Sequence, residues 1–239
     1  MELAIALALA LALLLLGQWL TRRATRRHRQ ALSQLQHSTL QRAVALLQTL
    51  QKHRGLGAQQ DLANVSQRNG LARELDQIWL NWPGASLQLA PLQQDWPQLR
   101  RNPADFAAHC GMIEGLLTVI EQLEDRLCLS GQPALRGLGQ ACRSLEDLAR
   151  LRGLAVRAAN YTRCPAGLQM QMQMRELYRR CTGPLTTEPL QPLLQRLQME
   201  LIDAPQAALT PSDCFALLTP LIDARMQNLR LSLTSAAEN

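Results

Sequence analysis

Residues 44–58 read VALLQTLQKHRGLGA, and this stretch decides the fold. Val44, Leu47, Leu50 and Arg54 recur at steps of three or four residues. That spacing places the side chains on one face of an α-helix. The same periodicity recurs along most of the chain, without the alternation that is typical of strands. We therefore predict an all-α protein, with its helices packed as bundles.

The residue composition and the positions of the prolines agree with a helical body. Apolar residues make up 47% of the 239 residues and aromatic residues only 3%, with leucine, alanine, glutamine and arginine abundant. That mixture favours helices over sheets. Residues 82–103 carry four prolines and are predicted to be an ordered connection without a helix. Further helices are predicted near residues 61–80, 104–129, 134–161, 165–182, 188–203 and 211–234.

The N-terminal segment is predicted to anchor the chain in a membrane. Residues 3–20 are apolar except for Gly17 and Gln18, and a helix of this length rises about 27 Å, close to the thickness of a hydrocarbon core. A cleaved secretory signal is the alternative, but no basic residue precedes the run and no small-residue cleavage site follows it. We expect a transmembrane helix over residues 1–21 and a basic juxtamembrane segment over 22–30.

Charge predicts the orientation and excludes several functions. Five arginines lie between residues 22 and 29, and such clusters stay on the cytoplasmic side. We thus expect a single-pass protein of the inner membrane whose body, residues 31–239, is cytoplasmic. Setting aside those five arginines and Glu2 leaves 20 basic and 18 acidic residues, a balance that does not indicate a nucleic-acid partner.

The chain lacks the motifs that would indicate catalysis or a bound metal. No phosphate-binding loop, zinc-protease motif or nucleophile elbow occurs, so we expect neither an enzyme nor a cofactor. The four histidines show no metal-ligand spacing. The six cysteines form no CxxC pair and are predicted to be free, buried thiols in a reducing compartment.

Two arginines lie on predicted apolar helix faces. Arg54 continues the stripe described above, and Arg152 continues a stripe that contains Leu148; each is followed by a glycine, Gly55 and Gly153. Buried arginines need a partner, and glycine lets another group approach closely. One interpretation is a clamp in which two planar guanidinium groups hold a planar oxyanion. The other is a structural salt bridge, with Glu146, Asp147, Asp223 and Asp61 as the candidate carboxylates, or a guanidinium head that reaches solvent along the helix surface.

Three short motifs give the chain a family resemblance. Residues 50–56 (LQKHRGL) resemble the first signature of the nitrate- and nitrite-sensing (NIT) domain, and residues 146–152 (EDLARLR) resemble its second. Residues 215–223 (FALLTPLID) resemble its closing signature. The resemblance implies two packed four-helix bundles that hold nitrate or nitrite between helices through the motif arginines. Residue 221 is leucine where the family often has a basic residue, and Arg225 is the candidate replacement.

These observations predict a membrane-anchored sensor of a small oxyanion, with Arg54, Arg152, His53 and Arg225 as ligand-binding residues. His53 neighbours Arg54 and would add a donor or a pH dependence, unless it is an exposed helix histidine. We expect a separate, unidentified signalling partner, and a homodimer is compatible with this interpretation. The alternative function is a membrane-tethered helical scaffold that has lost anion binding. An acidic side chain between Arg54 and Arg152 would favour the scaffold.

Overall fold

The computed structural model is all-helical over the residues that it describes, which confirms the predicted fold class. Its description covers residues 2–57, 59, 62–160, 167–182, 190–204 and 208–238, without the side chains of residues 2–12, 160, 167–168 and 236–238. The α-helices of this part are α1 (Glu2–Leu56), α2 (Leu62–Leu80), α3 (Trp96–Arg101), α4 (Phe106–Leu129), α5 (Leu138–Asn160), α6 (Gly167–Cys181), α7 (Leu190–Leu197) and α8 (Pro211–Glu238).

The packing is organised around α1 and α5. The α1 helix packs against α2 and α4, whereas α5 packs against α6 and α8. The two groups meet because α5 also contacts α1 and α4. Leu47 and Leu50 of the sequence stripe, together with Leu148 and Leu151 of α5, are completely or almost completely buried in one shared core. Helices with one continuous apolar face can bury it only against another helix, which explains this arrangement.

Two predicted helix boundaries changed for identifiable reasons. The helix predicted from residue 134 begins at Leu138, since Gly137 adopts a positive φ of 90° and ends the preceding turn. The prediction that residues 82–103 contain no helix was wrong. Residues 96–101 form α3, with Pro97 in its first turn, where the missing N–H has no helical partner to lose.

The helix α4 begins at Phe106, close to the predicted start at residue 104. The side chain of Asp105 accepts a hydrogen bond from the N–H of Ala108 at 2.9 Å and thereby caps the helix. The side chain of Asp76 accepts a hydrogen bond from the indole of Trp96 at 2.8 Å, which fixes α3 against α2. These contacts hold α2, α3 and the start of α4 near the C-terminal end of α1, where the candidate site lies.

The N-terminal half of α1 extends beyond the packed body. The helix runs without interruption through the predicted boundaries at residues 21 and 30. Among the described residues, none of the helices is both long enough and apolar enough for a membrane span. The predicted span over residues 3–20 falls largely on residues 1–12, whose side chains lie outside the described part of the chain.

Candidate functional site

Arg54 lies at the interface of α1 and α5 and forms a two-point ion pair with Glu146. Its Nη1 lies 2.5 Å from Oε1 of Glu146, and its Nη2 lies 3.0 Å from Oε2. The amide of Gln51 donates a further hydrogen bond to Oε2 at 3.0 Å. Burial alone would lower the pKa of Arg54, but the charge and hydrogen bonds of Glu146 raise it overall. This guanidinium thus has its anion within the protein.

Arg152 lies on α5 and has no carboxylate partner in the described part of the chain. Its side chain is 0% exposed. Its Nη1 donates to the hydroxyl of Thr219 at 3.0 Å, and its Nη2 donates to the main-chain carbonyl of Gln51 at 3.1 Å. In the described part of the chain no carboxylate lies within ion-pair distance of Arg152, and its Nε–H has no acceptor. Neutral oxygens alone therefore solvate a fully buried cation.

The surroundings of Arg152 disfavour its charge. Burial, followed by repulsion from Arg54, lowers its pKa to about 10. The more distant carboxylates of Asp223 and Glu146 raise the pKa of Arg152, but they offset only part of this lowering. At neutral pH the guanidinium is still protonated, because the pH lies well below that pKa. The site therefore holds a cation that an incoming anion would stabilise.

The only two phenylalanines of the chain each cover one of the two arginines. The guanidinium carbon of Arg54 lies 5.2 Å from the ring centroid of Phe106, and that of Arg152 lies 4.6 Å from the ring centroid of Phe215. Aromatic faces attract cations at these distances and exclude water from them. The rings thus favour the charged side chains without supplying an anion.

The glycines beside the arginines make room for these rings in a crossed arrangement. A Cβ atom on Gly55, which follows Arg54, would lie 2.9 Å from the ring of Phe215. A Cβ atom on Gly153, which follows Arg152, would lie 2.7 Å from the ring of Phe106. Each glycine therefore admits the ring that covers the arginine of the other helix. The repeated Arg-Gly pair of the sequence is thus one interlocked contact between α1 and α5.

His53 is buried and faces away from the Arg54–Glu146 pair, so an exposed helix histidine is ruled out. Its Nδ1 lies 2.8 Å from Nε2 of His109, and Nδ1 of His109 lies 2.7 Å from the main-chain oxygen of Asp105. Since that carbonyl only accepts, His109 donates to it and its Nε2 accepts from His53. Burial above all lowers the pKa of His53 to about 3 and that of His109 to about 4, so both rings are neutral at neutral pH.

The remaining predicted residue, Arg225, lies half-buried on α8. Its charge acts on the thiol of Cys181, whose pKa burial raises to about 12 despite that cation. A role for Arg225 in holding an anion stays a prediction. Two of the carboxylates proposed for the arginines have other partners: Asp223 pairs with Lys52 at 2.9 Å, and Asp147 pairs with Arg180 at 2.7 Å. The third, Asp61, lies outside the described residues.

Three groups in the site were not predicted as ligand-binding residues. The side-chain amide of Gln51 donates a hydrogen bond to Glu146, the partner of Arg54, and the main-chain carbonyl of Gln51 accepts one from Arg152. Thr219 supplies the hydroxyl acceptor for Arg152. Both lie within the motif segments 50–56 and 215–223, so the signal was present in the sequence. Phe106 lies outside the three motifs, and only its rarity in this chain marks it.

Nothing in the described part of the chain suggests a metal centre. No group of three or more histidine, cysteine, aspartate or glutamate side chains is arranged to hold a metal ion among these residues. Five of the six cysteines are described, and none of the five forms a disulfide; Cys142 and Cys214 are buried, and the other three are half-buried. The prediction of thiols outside disulfides is confirmed for these five, whereas full burial holds for two of them.

No known relative is found for this chain. No protein-family model matches it, and neither a curated protein nor a solved structure does. The resemblance to the NIT domain consequently rests on three short motifs, and the geometry around Arg152 carries any functional argument.

Proposed function

We propose that this protein is a membrane-anchored sensor that binds a small oxyanion at Arg152. The observation that carries the proposal is a fully buried guanidinium without a carboxylate partner in the described chain. Leaving a buried charge unpaired costs several kcal/mol, so such a group is uncommon without a purpose. The resemblance to the NIT domain suggests nitrate or nitrite as the oxyanion. The two four-helix bundles of that family are likewise part of this proposal.

A planar oxyanion suits the donors at this site. The Nε–H groups of Arg152 and Arg54 are both buried, and neither has an acceptor in the described part of the chain. An anion would also compete well for the donors that Arg152 now directs at Thr219 and Gln51, because hydrogen bonds to an ionised acceptor are roughly twice as strong as those to a neutral one. Binding would repay the desolvation that lowers the pKa of Arg152.

The two present acceptors of Arg152 suggest how binding would be transmitted. Arg152 belongs to α5, whereas the carbonyl of Gln51 belongs to α1 and the hydroxyl of Thr219 belongs to α8. The side chain therefore ties three helices together. An anion that takes over these donors would loosen that tie and shift α1 relative to α5 and α8. The anion can change the populations of the two helix arrangements only by as much as its affinity for them differs.

The α1 helix would carry the change to the membrane. It is continuous from residue 2 to residue 56 and ends beside the site. Leucines 13–16 and Leu20 are more than half exposed, and Trp19 is too, with Arg23 over its ring at 5.0 Å. Such an apolar helix end suits a bilayer and its interface. We propose that it anchors the protein with the body in the cytoplasm, where a partner reads the position of α1.

The Arg54–Glu146 pair favours the alternative function, a membrane-tethered scaffold. Here an acidic side chain already occupies one arginine, as expected of a protein that has lost anion binding. The scaffold accounts less well for Arg152, since a purely structural core would be more stable with an apolar side chain at that position. We therefore favour the sensor.

Isothermal titration calorimetry on the full chain in detergent tests the proposal. Sodium nitrate and sodium nitrite are titrated into wild type, Arg152→Met and Arg150→Met, the last as a control from the same helix. We expect binding by wild type and the control, and none by Arg152→Met. Absence of binding by wild type, or equal binding by Arg152→Met, would refute the sensor and leave the scaffold.

A further inference from the structure

A concave site lies between α2 and α3, beside His53 of α1. It is a cavity of about 570 Å³. Four arginines line it: Arg68 and Arg73 from α2, and Arg100 and Arg101 from α3. His53 forms part of its wall. A cavity of this size accommodates a small organic molecule or ion with its hydration shell.

The charge in this cavity is largely uncompensated. Asp76 pairs with Arg100 at 2.8 Å, but it does not line the cavity. Among the described residues, Arg68 donates to main-chain carbonyls alone, those of Leu56 and Gln59, at 3.5 and 3.3 Å. Within the described residues no carboxylate contacts Arg68, Arg73 or Arg101. The lining therefore carries about three positive charges in excess of its acidic partners.

The four arginines concentrate positive charge at one place. Beyond residue 30 the chain is nearly neutral overall, and several arginines elsewhere, such as Arg143 and Arg175, have carboxylate partners. Four guanidinium groups around one cavity repel each other unless an anion lies between them. A singly charged ion neutralises only part of this excess, whereas a multiply charged one neutralises most of it.

The uncharged groups of the wall supply hydrogen bonds as well. Ser66 and Asn69 line the cavity with a hydroxyl and an amide. His53 is 1% exposed, and its Nδ1 is engaged with His109. Its other ring nitrogen, Nε2, is then an acceptor without a partner in the described chain. A ligand with several anionic oxygens and a hydroxyl group would match these arginines, this amide and this acceptor.

We infer that this cavity is a second binding site, distinct from Arg152, for a small soluble molecule that carries a multiply charged phosphate group. Arginine forks match the oxygens of phosphate in pairs, which explains the choice of residue. The phosphate of a lipid head group would offer the same chemistry. However, the cavity lies near residue 53 of α1, about 45 Å along the helix from the basic cluster that begins at Arg22, which places it away from the proposed membrane surface.

The cavity is connected to the first site through α1. His53 and Arg54 are neighbours in sequence on α1 and face the two sites. Gly57, which directly follows α1, extends the connection: a Cβ atom there would clash with the main-chain oxygen of Pro103, so the end of α1 and the segment after α3 lie in close backbone contact. A phosphate compound that draws α2 and α3 together would therefore act on the same helix end as the oxyanion.

Calorimetry with pyrophosphate as the probe tests this inference on the full chain in detergent. The variant is Arg73→Gln with Arg101→Gln, both exposed side chains without a described ion pair. The control is Arg136→Gln with Arg230→Gln, which removes the same charge from exposed positions outside the cavity. We expect pyrophosphate to bind wild type and the control, and to bind the variant at least about tenfold more weakly. Nitrate binding at Arg152, where it occurs, should stay unchanged in the variant.

Three outcomes would overturn the inference. The first is no pyrophosphate binding by wild type, and the second is an equal loss in the control. The third comes from a parallel arm with vesicles containing phosphatidic acid: binding to vesicles that depends on Arg73 and Arg101, without binding of pyrophosphate, would assign the cavity to a membrane surface. Because nitrate is measured on the same samples, failure of this site is distinguishable from failure of the site at Arg152.

Discussion

Replacing each of the two buried arginines by methionine should affect stability to very different extents. Methionine keeps much of the side-chain volume and removes the charge. In Arg54→Met, Glu146 loses both hydrogen bonds from its guanidinium partner and remains as a buried carboxylate. Breaking a buried ion pair from one side costs about 3–5 kcal/mol. We therefore expect Arg54→Met to be strongly destabilised.

In Arg152→Met, no carboxylate of the described chain loses a partner. A pKa of about 10 for Arg152 corresponds to about 3 kcal/mol of destabilisation of its charged form. Removing the charge recovers that free energy, whereas the lost hydrogen bonds to Thr219 and Gln51 cost about 1 kcal/mol each. The stability of the variant should thus lie within about 1 kcal/mol of wild type, or above it, in a buffer without nitrate, nitrite or other small oxyanions.

Thermal unfolding of the full chain in detergent, followed by circular dichroism in gluconate buffer, measures this contrast. A difference of about 4 kcal/mol between the variants corresponds to about 10 °C in Tm for a protein of this size. The double variant Arg54→Met with Glu146→Leu should recover most of the loss. Equal destabilisation by Arg152→Met and Arg54→Met would refute the reasoning, since it would mean that Arg152 has an anionic partner within the protein.

Two further predictions follow from the packing and the histidine pair. A methyl group on Gly55 would lie 2.9 Å from the ring of Phe215. A methyl group on Gly70, in contrast, would have no neighbouring atom of the described chain within 4 Å. We expect Gly55→Ala to be about 1–3 kcal/mol less stable than Gly70→Ala in urea unfolding, and equal stabilities would show that the ring moves freely. His53 and His109 have pKa values lowered to about 3 and 4, so below pH 6.5 protons bind the unfolded chain and destabilise the folded one. The free energy of unfolding of wild type should fall by about 4 kcal/mol between pH 7 and pH 5. In His53→Gln it should fall by about half as much, because only His109 remains to bind a proton on unfolding. A free energy of unfolding that does not change with pH in wild type would contradict the buried histidine pair.

The sequence predicted the helices well because their signals are local. The stripe through Leu47 and Leu50, the cap at Asp105 and the prolines mark helix faces and ends that depend on nearby residues. The helix α3 was missed since Pro97 was read as a break, although proline in the first turn is compatible with a helix. Burial of Arg54 and Arg152 was also predictable, because both continue apolar stripes.

The partners of these arginines were not predictable from helical periodicity. Glu146 pairs with Arg54 and not with Arg152 because of the position of α5 along the axis of α1. The packed core, and not the helical pattern of either segment, determines that position. The burial of His53 depends likewise on His109, 56 residues away in sequence. The covering of each arginine by a phenylalanine from a different segment has the same long-range origin. Pattern reading gives the face of a helix, whereas the contact across that face requires the tertiary structure.

The most direct test of anion binding at Arg152 is a crystal structure of the full chain grown with sodium nitrate. The sensor predicts a planar anion within hydrogen-bond distance of Nε of Arg152, with the contacts from Arg152 to Thr219 or to the carbonyl of Gln51 lengthened or lost. A structure at saturating nitrate in which Arg152 keeps both contacts and no anion lies beside it would contradict the sensor.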